Sequence, residues 1–409
     1  MLVLMPVLTF AVPDSYSFRE NVKSFNKINY NAARQNWCVS ASPNGFVYFA
    51  NHRGLLEFDG TTWNLYSLPN ETILRAVKVK NDSVIYTSGY MELGYWKTDQ
   101  YGTLHYFSLY EKAKKHLFKN IEFWNIAVSD SFVYFQSFNR ILAYNSDTVS
   151  AVELSPFISV MNKVNDKVLV AVRNIGIFEI VGTSVNPFLN GEFFNDKLVQ
   201  FLIPHKDNQL LIGTAAHGVF VWNGSEILPW NSAWTDYFVK NELNRGYYSK
   251  NGEVIVGTII DGIVVFDENG SLVMKSNVQS GLPNNTVLGI EADEWQNIWL
   301  ALDDGNAFIP QDFNKGFSIE NIPGVGAIYS ISVFNDNLYL GTNQGLFVRP
   351  VNDDNKSFTL VPNTQGQVWD CRVIDGKLWV SHNRGTFIIE GKKAMPISTL
   401  SGAFTIKED

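Results

Sequence analysis

One pattern of short apolar strands and polar turns recurs along nearly the whole chain. Its clearest copy starts with the run from Gly281 to Val287, continues through Ile298-Trp299-Leu300 and ends at Gly305. When the copies are aligned on that last residue, successive anchor positions are 36 to 46 residues apart: Gly54, Gly94, Arg140, Gly176, Gly218, Gly262, Gly305, Gly345 and Gly385. This period, without a 3.6-residue periodicity, predicts β-propeller blades rather than helical repeats.

Turn residues separate the strands within each repeat. Pro43-Asn44-Gly45 joins the first two strands, and Asp59-Gly60 reverses the chain before Trp63, as tight turns require. The predicted fold is therefore all-β, a propeller of four-stranded antiparallel blades that pack face to face around an axis. Only residues 110–117 read as helical. Large side chains on the second strands should fill the spaces between blades: Tyr48, Trp299, Tyr339 and Trp379.

Nine repeats are more than the roughly four to eight blades of an ordinary ring, so two rings are expected. We predict a first propeller of about seven blades over residues 18–325 and the first blades of a second, truncated propeller over 326–409. Residues 24–30 read as an outermost strand with no blade before it, which predicts that they complete the last blade of the first ring. Residues 404–409 read as the first strand of a tenth repeat.

The N-terminal segment and the cysteines bear on the compartment. Residues 1–17 are expected to be a signal peptide, because the apolar run from Met1 to Val12 has the length of a signal-peptide core, although no basic residue precedes it. A buried first strand is the alternative, which Pro6 and Pro13 weaken. Cys38 and Cys371 are too few for a disulfide scaffold, and the sequence leaves open whether they pair. We expect a periplasmic or extracellular protein.

The formal charge of -8 is spread along the chain without a basic cluster. A nucleic-acid binder would need such a cluster. We therefore expect no nucleic-acid partner, and membrane contact only through a transmembrane helix outside this chain.

The unit that starts at Gly281 and includes Trp299 resembles the two-component-regulator propeller repeat. The opening, with Gln35-Asn36-Trp37 and the run from Asn51 to Trp63, resembles the first blade of sensor regulators from Bacteroidetes-type bacteria. This resemblance implies an extracytoplasmic sensor with two propellers, a tyrosine-motif β-sandwich, a transmembrane helix and a histidine-kinase or helix-turn-helix output. It places any kinase activity, and contacts for a homodimer, in regions beyond this chain.

Sequence motifs of catalysis are absent. There is no phosphate loop, no Gly-x-Ser-x-Gly elbow and no His-Glu-x-x-His, and the six histidines lack metal-ligand spacing. The turn at Asp59 differs from the sialidase Asp-box, because its Asp and Gly are adjacent and the serine is missing. We predict no catalytic residue, no metal and no cofactor. A secreted propeller hydrolase or lyase, and a scaffold for protein contacts, are the alternatives.

A propeller gathers the loops between second and third strands, and the connections between blades, on one face. Polar and aromatic side chains of these loops form the predicted site for a small polar ligand, for which an oligosaccharide is one candidate: His52, Arg53, Glu92, Arg140, Arg173, His217, Trp234 and Asp261. The alternative for the histidines is a polar turn position that tolerates histidine, and for Trp234 it is packing on the propeller's own surface. The predicted function is ligand sensing for a membrane-linked regulator of signal transduction or transcription.

Overall fold

A computed structural model describes residues 22–154, 157–311, 324–351, 357–391, 393–398 and 400–406. Within them the chain forms nine four-stranded antiparallel sheets, so the predicted all-β propeller fold is confirmed. The chain separates into two compact units, Met1–Gly316 and Phe317–Asp409, whereas the boundary at residue 325 stays a prediction. The signal-like segment over 1–17 lies outside the described residues.

The first unit holds seven sheets, which we number as blades 1 to 7. In blades 1 to 6 the four strands are consecutive and each pairs with the next. The strands of blades 1 to 3 are β2 (Asn36–Ala41), β3 (Val47–Asn51), β4 (Gly54–Phe58), β5 (Trp63–Tyr66), β6 (Leu74–Asn81), β7 (Val84–Gly89), β8 (Glu92–Thr98), β9 (Leu104–Ser108), β10 (Asn125–Val128), β11 (Val133–Gln136), β12 (Ile141–Tyr144) and β13 (Val149–Val152). The strands of blades 4 to 6 are β14 (Ile158–Val164), β15 (Lys167–Val172), β16 (Gly176–Val181), β17 (Ser184–Asn190), β18 (Val199–Pro204), β19 (Leu210–Thr214), β20 (Gly218–Trp222), β21 (Ile227–Pro229), β22 (Leu243–Tyr248), β23 (Val254–Thr258), β24 (Ile263–Phe266) and β25 (Leu272–Ser276).

Blade 7 combines strands from both ends of the first unit: β26 (Val287–Ala292), β27 (Ile298–Leu302), β28 (Asn306–Ile309) and β1 (Lys23–Phe25). The second unit holds blades 8 and 9: β29 (Ile328–Phe334), β30 (Asn337–Thr342), β31 (Leu346–Pro350), β32 (Thr359–Leu360), β33 (Val368–Ile374), β34 (Lys377–His382), β35 (Gly385–Glu390) and β36 (Lys393–Ser398). The described helices are short: α1 (Lys27–Tyr30), α2 (Tyr110–Ala113) and α3 (Thr235–Lys240), with 3-10 turns at Lys114–His116, Glu192–Phe194, Lys206–Asn208, Ser232–Trp234 and Val278–Ser280.

Strand β1 closes the ring of the first unit. It pairs antiparallel with β28, with Ser24 opposite Ala307, which confirms that an N-terminal strand completes the last blade. The strand is shorter than predicted, because the Asn26 side chain accepts a hydrogen bond from the backbone N–H of Ile28 and caps α1. Phe25 anchors the closure: its ring centroid lies 5.1 Å from that of Trp63 and 6.1 Å from that of Trp299.

The predicted corner at Gly94 is wrong. Gly94 lies inside β8, opposite Thr87, and the corner of blade 2 falls at Tyr90 and Met91. Met91 itself takes the left-handed backbone conformation (φ 53°), so this corner forms without a glycine, and Glu92 starts the third strand. A glycine is needed at position 94 for another reason, since a Cβ there would lie 2.4 Å from the carbonyl oxygen of Phe107 in β9.

The blade-filling side chains are mostly where the sequence predicts them. Tyr48, Trp299 and Tyr339 are buried. Trp379 is only half-buried, because it lies on the face of blade 9 opposite to Leu378, which belongs to the core of the second unit. The helix predicted over 110–117 is present as α2 and the adjoining 3-10 turn. Residues 400–406 contain no strand, and the rest of the predicted tenth-repeat strand lies outside the described residues.

Ring closure predicts a strong effect of Phe25→Ala. The substitution removes a buried ring from the aromatic cluster between blades 1 and 7, so the first unit should lose about 3 kcal/mol or more of unfolding free energy. Urea denaturation followed by tryptophan fluorescence measures the loss. Ile28→Ala is the matched control, because Ile28 is 82% exposed and its removal should change stability by less than about 0.5 kcal/mol. Equal stability of the two variants would contradict closure by β1.

Candidate functional site

The eight predicted ligand residues all lie at one end of the first unit, which we call the upper rim. It comprises the corners between second and third strands and the connections between blades, which share an end because adjacent strands run antiparallel. The residues lie as follows: His52 and Arg53 in blade 1, Glu92 in blade 2, Arg140 in blade 3, Arg173 in blade 4, His217 in blade 5, Asp261 in blade 6, and Trp234 between blades 5 and 6. Among the described residues, none of the eight hydrogen bonds to another of the eight.

The buried side chain of Glu92 stabilises the corner of blade 2 through hydrogen bonds. It accepts hydrogen bonds from Asn70 (2.9 Å), Tyr106 (3.0 Å) and Ser108 (2.7 Å). Burial, followed by the charge of Glu92, raises the pKa of Tyr106 above its ordinary value, so the phenol stays a hydrogen-bond donor. These partners give Glu92 a structural role in blade 2.

Trp234 and Asp261 both fix the connection that carries α3. Trp234 packs on the surface of the propeller itself, with its ring centroid 5.1 Å from that of Phe266. Asp261 accepts hydrogen bonds from Tyr237 (3.1 Å) and Asn277 (2.7 Å) and pairs with Lys275 (2.8 Å). Burial opposes ionisation of Asp261, but the bonds from Lys275 and Asn277 outweigh it and lower the pKa of the carboxyl.

Three further rim residues are more open to solvent: Arg53, Arg173 and His217. His217 lies 3.6 Å from the carboxylate of Asp196. Arg53 and Arg173 are exposed, and within the described ranges their side chains make no hydrogen bond or ion pair. These three residues lie in blades 5, 1 and 4, so each is free to contact a ligand only at its own part of the rim.

A cluster that the sequence did not reveal surrounds His52. Arg75, in β6, is 10% exposed, and its guanidinium carbon lies 4.1 Å from the ring centroid of Trp37 and 4.7 Å from that of Trp124. Its nitrogens lie 3.0 Å from His52 Nε2 and 3.5 Å from Glu122 Oε1. We call these five residues the arginine–tryptophan cluster. It joins blades 1, 2 and 3 at the upper rim.

The cluster holds its histidine neutral and leaves two donors unused. Burial, and then the charge of Arg75, lower the pKa of His52 below its ordinary 6.5, so the imidazole accepts the hydrogen bond from Arg75. The buried Nε1 of Trp37 and Nε of Arg75 have no hydrogen-bond partner in the described part of the chain. Unpaired buried donors are uncommon and costly, which favours a ligand or water in contact with them.

Two side chains of the cluster, those of Trp37 and Arg75, come from β-bulges. The innermost strand of six blades in the first unit has one residue that the neighbouring strand leaves unpaired, and a bulge re-aims such a side chain. The bulge residues are Trp37, Arg75, Ser159, Gln200, Asn244 and Leu288. In blade 3 the strand pairing shows no bulge, and Trp124 precedes the strand instead.

A groove of about 220 Å³ opens beside the cluster. We call it the rim groove; its lining is 118–122, Trp124 and 137–139. Phe118 and Phe138 are half exposed, at 48% and 51%, and the ring centroid of Phe138 lies 5.5 Å from that of Trp124. The guanidinium carbon of Arg140 lies 4.3 Å from the ring centroid of Phe118. Of the predicted ligand residues, Arg140 and His52 are therefore the two that adjoin this site.

A second opening runs along the axis of the first unit. This axial cavity encloses about 330 Å³ and is lined by the inner strands of all seven blades. Inside it, Lys78 Nζ of blade 2 lies 2.9 Å from Glu291 Oε2 of blade 7. The charge of Glu291, acting against burial, raises the pKa of Lys78, so the lysine remains a cation.

The described residues offer neither a metal site nor a membrane-spanning helix. They contain no group of His, Cys, Asp and Glu that could hold a metal ion, and none of their helices is long and apolar enough to cross a bilayer. Cys38 and Cys371 are both free thiols.

The contact between Arg75 and His52 should affect the pKa of the histidine. Arg75→Gln removes the cation beside the imidazole, so the pKa of His52 should rise toward 6.5. Because the pKa of folded His52 lies below that of the unfolded chain, its contribution to stability is lost as the pH falls below about 6.5. Imidazole NMR measures the pKa, with Arg384→Gln in the second unit as control. An unchanged pKa in Arg75→Gln would contradict the contact.

Comparison with known proteins identifies the fold. No protein-family model and no curated protein matches this sequence. Among solved structures, the extracellular domain of a protein assigned to a hybrid two-component system of B. thetaiotaomicron is 14% identical, with a TM-score of 0.55 over 92% of this chain and 53% of its own. A second such domain from the same organism is 16% identical, with a TM-score of 0.56 over 93% of this chain and 55% of its own.

An enzyme has the same fold. Virginiamycin B lyase from Staphylococcus aureus is 13% identical, with a TM-score of 0.55 over 71% of this chain and 98% of its own. The chain thus spans about half the length of the sensor-system domains and contains nearly the whole length of the lyase. At these identities the likeness shows the β-propeller fold. The structures that share it include extracellular domains of two-component-type systems, the class that the sequence resembles.

Proposed function

We propose that this chain is the ligand-binding propeller of an extracytoplasmic sensor, and that it binds a polar, sugar-like ligand non-covalently in the rim groove. The ligand's occupancy is passed to a membrane-linked regulator through regions beyond this chain. Support for the sensor class comes from the repeat resemblance and from the extracellular domains that share the fold. The periplasmic or extracellular location is inferred from the same class of sensor.

The observation that carries the proposal is the composition of the rim groove. Two exposed phenylalanine rings, Phe118 and Phe138, stand beside the half-buried Trp124, while Glu122, Asn139 and Arg140 supply polar atoms next to them. Aromatic rings cover the apolar face of a sugar ring, and a few placed polar groups fix its hydroxyls. Neither kind of group alone would favour a sugar-like ligand.

Hydrogen bonds hold the walls of the groove in place on both sides. On one side the Tyr90 hydroxyl donates to Asn120 (2.9 Å), and the N–H of Met91 donates to the carbonyl oxygen of Ile121 (2.9 Å). On the other side the Ser137 hydroxyl oxygen accepts from the N–H of Arg140 (2.9 Å). Preformed walls reduce the entropy lost on binding.

The lyase alternative needs an acid or base that is free to act on a substrate in the groove. Glu122 lines the groove and His52 belongs to the adjoining arginine–tryptophan cluster, and both are held by Arg75, at 3.5 and 3.0 Å. Their engagement favours binding over catalysis at this site.

Removal of the two exposed rings tests the site. Phe118→Ala with Phe138→Ala should weaken binding of a sugar-like ligand by about tenfold or more, because each aromatic contact is worth about 0.5–1.5 kcal/mol. Calorimetric titration against a panel of short neutral and acidic oligosaccharides measures the loss, and thermal unfolding checks that the fold survives. Trp295→Ala is the matched control, since Trp295 is 58% exposed in the turn between first and second strands, away from the upper rim. Undiminished binding by the double variant would reject the groove.

A further inference from the structure

We propose that the axial cavity of the first unit is a separate binding site for a small oxyanion, a carboxylate or phosphate group, which Arg245 binds with support from Lys78. The inference does not depend on the rim groove, and it gives a function to charged side chains that the sensor site leaves unused. Two sources could deliver such a group: a free anion, or the acidic end of a larger ligand that enters from the upper rim.

The charges that line the cavity are unbalanced. Its ionised side chains are Lys78, Lys163, Arg245 and Glu291, an excess of two positive charges in a chain whose formal charge is -8. Lys78 is neutralised by Glu291 at 2.9 Å. Arg245 and Lys163 have no carboxylate partner among the described residues, so the cavity attracts anions although the protein as a whole repels them.

Arg245 presents its free edge where an anion would bind. Its Nε donates to the carbonyl oxygen of Leu288 (2.7 Å), and its Nη1 donates to the backbone and side-chain oxygens of Asn244 (3.2 and 3.3 Å). These partners are neutral and orient the guanidinium, while Nη2 has no partner in the described ranges. Guanidinium groups bind carboxylate and phosphate through such N–H donors.

The surroundings make the unpaired charge costly. Burial lowers the pKa of Arg245, although the side chain remains a cation at neutral pH because its ordinary pKa is far higher. Arg245 is partly buried; a cation withdrawn from water without a counter-ion is unfavourable, and an oxyanion would supply one. Cys38 lines the same cavity; burial raises the pKa of its thiol, and Lys78 and Arg245 act against that rise. Both cations therefore act on the same part of the cavity.

The site is tested by removing a positive charge in one variant and a negative charge in another. The full chain is titrated calorimetrically with inorganic phosphate at constant ionic strength. Arg245→Gln should weaken phosphate binding by about tenfold or more, because a charge-assisted hydrogen bond is lost. Glu291→Gln removes the competing negative charge and should strengthen binding several-fold, an effect that a purely structural role would not produce. Arg384→Gln, which removes an exposed arginine of the second unit, should leave the affinity unchanged.

A second arm separates the two sources of the anion. Glucuronic acid is compared with glucose, its uncharged counterpart. Binding of the acid alone, lost in Arg245→Gln, assigns the site to the acidic group of a sugar, whereas binding of phosphate without either sugar assigns it to a free anion. Thermal unfolding with and without phosphate confirms that each variant is folded. The proposal is overturned if the parent chain binds none of these anions, if Arg245→Gln binds them unchanged, or if Glu291→Gln binds them more weakly.

Discussion

The pairing of β1 with β28 is the constraint on which the first unit depends. Three residues from the start of the described chain complete a blade that is otherwise formed more than 250 residues later, with Lys23 opposite Phe308. Closure brings the inner strands of all seven blades around one cavity. The ion pair of Lys78 with Glu291 then joins blades 2 and 7 across blade 1. The upper rim and the axial cavity both exist because this ring closes.

Within the ring, the β-bulges of the inner strands set the chemistry of the upper rim. A regular strand would pair every residue and turn alternate side chains toward the neighbouring blades. One unpaired residue near the start of the strand changes that direction, and this is where Trp37 and Arg75 meet Trp124 and His52. The rigid inner strands thereby support a binding surface whose outer walls are loops.

The sequence predicts the repeat, the turns, the closing strand and the end of the molecule where the loops gather, because each depends on local spacing. It could not predict that Met91 would form a corner without glycine, which moves Glu92 into the blade interior. The sequence does not predict a role for Arg75 at the rim, because a residue inside an apolar strand is expected to belong to the core. The signal was nevertheless present: Trp37, Arg75 and their counterparts precede the corner residue of their blades by a nearly constant interval.

Hydrogen–deuterium exchange with and without a bound oligosaccharide shows whether the closed ring presents its ligand site on the rim of blades 1 to 3. Amide protection reports which backbone segments a ligand covers or stabilises. We expect protection concentrated at 118–124 and 137–140, with the connection at 230–237 unchanged. Protection confined to 230–237, or to the second unit, at saturating ligand would contradict it.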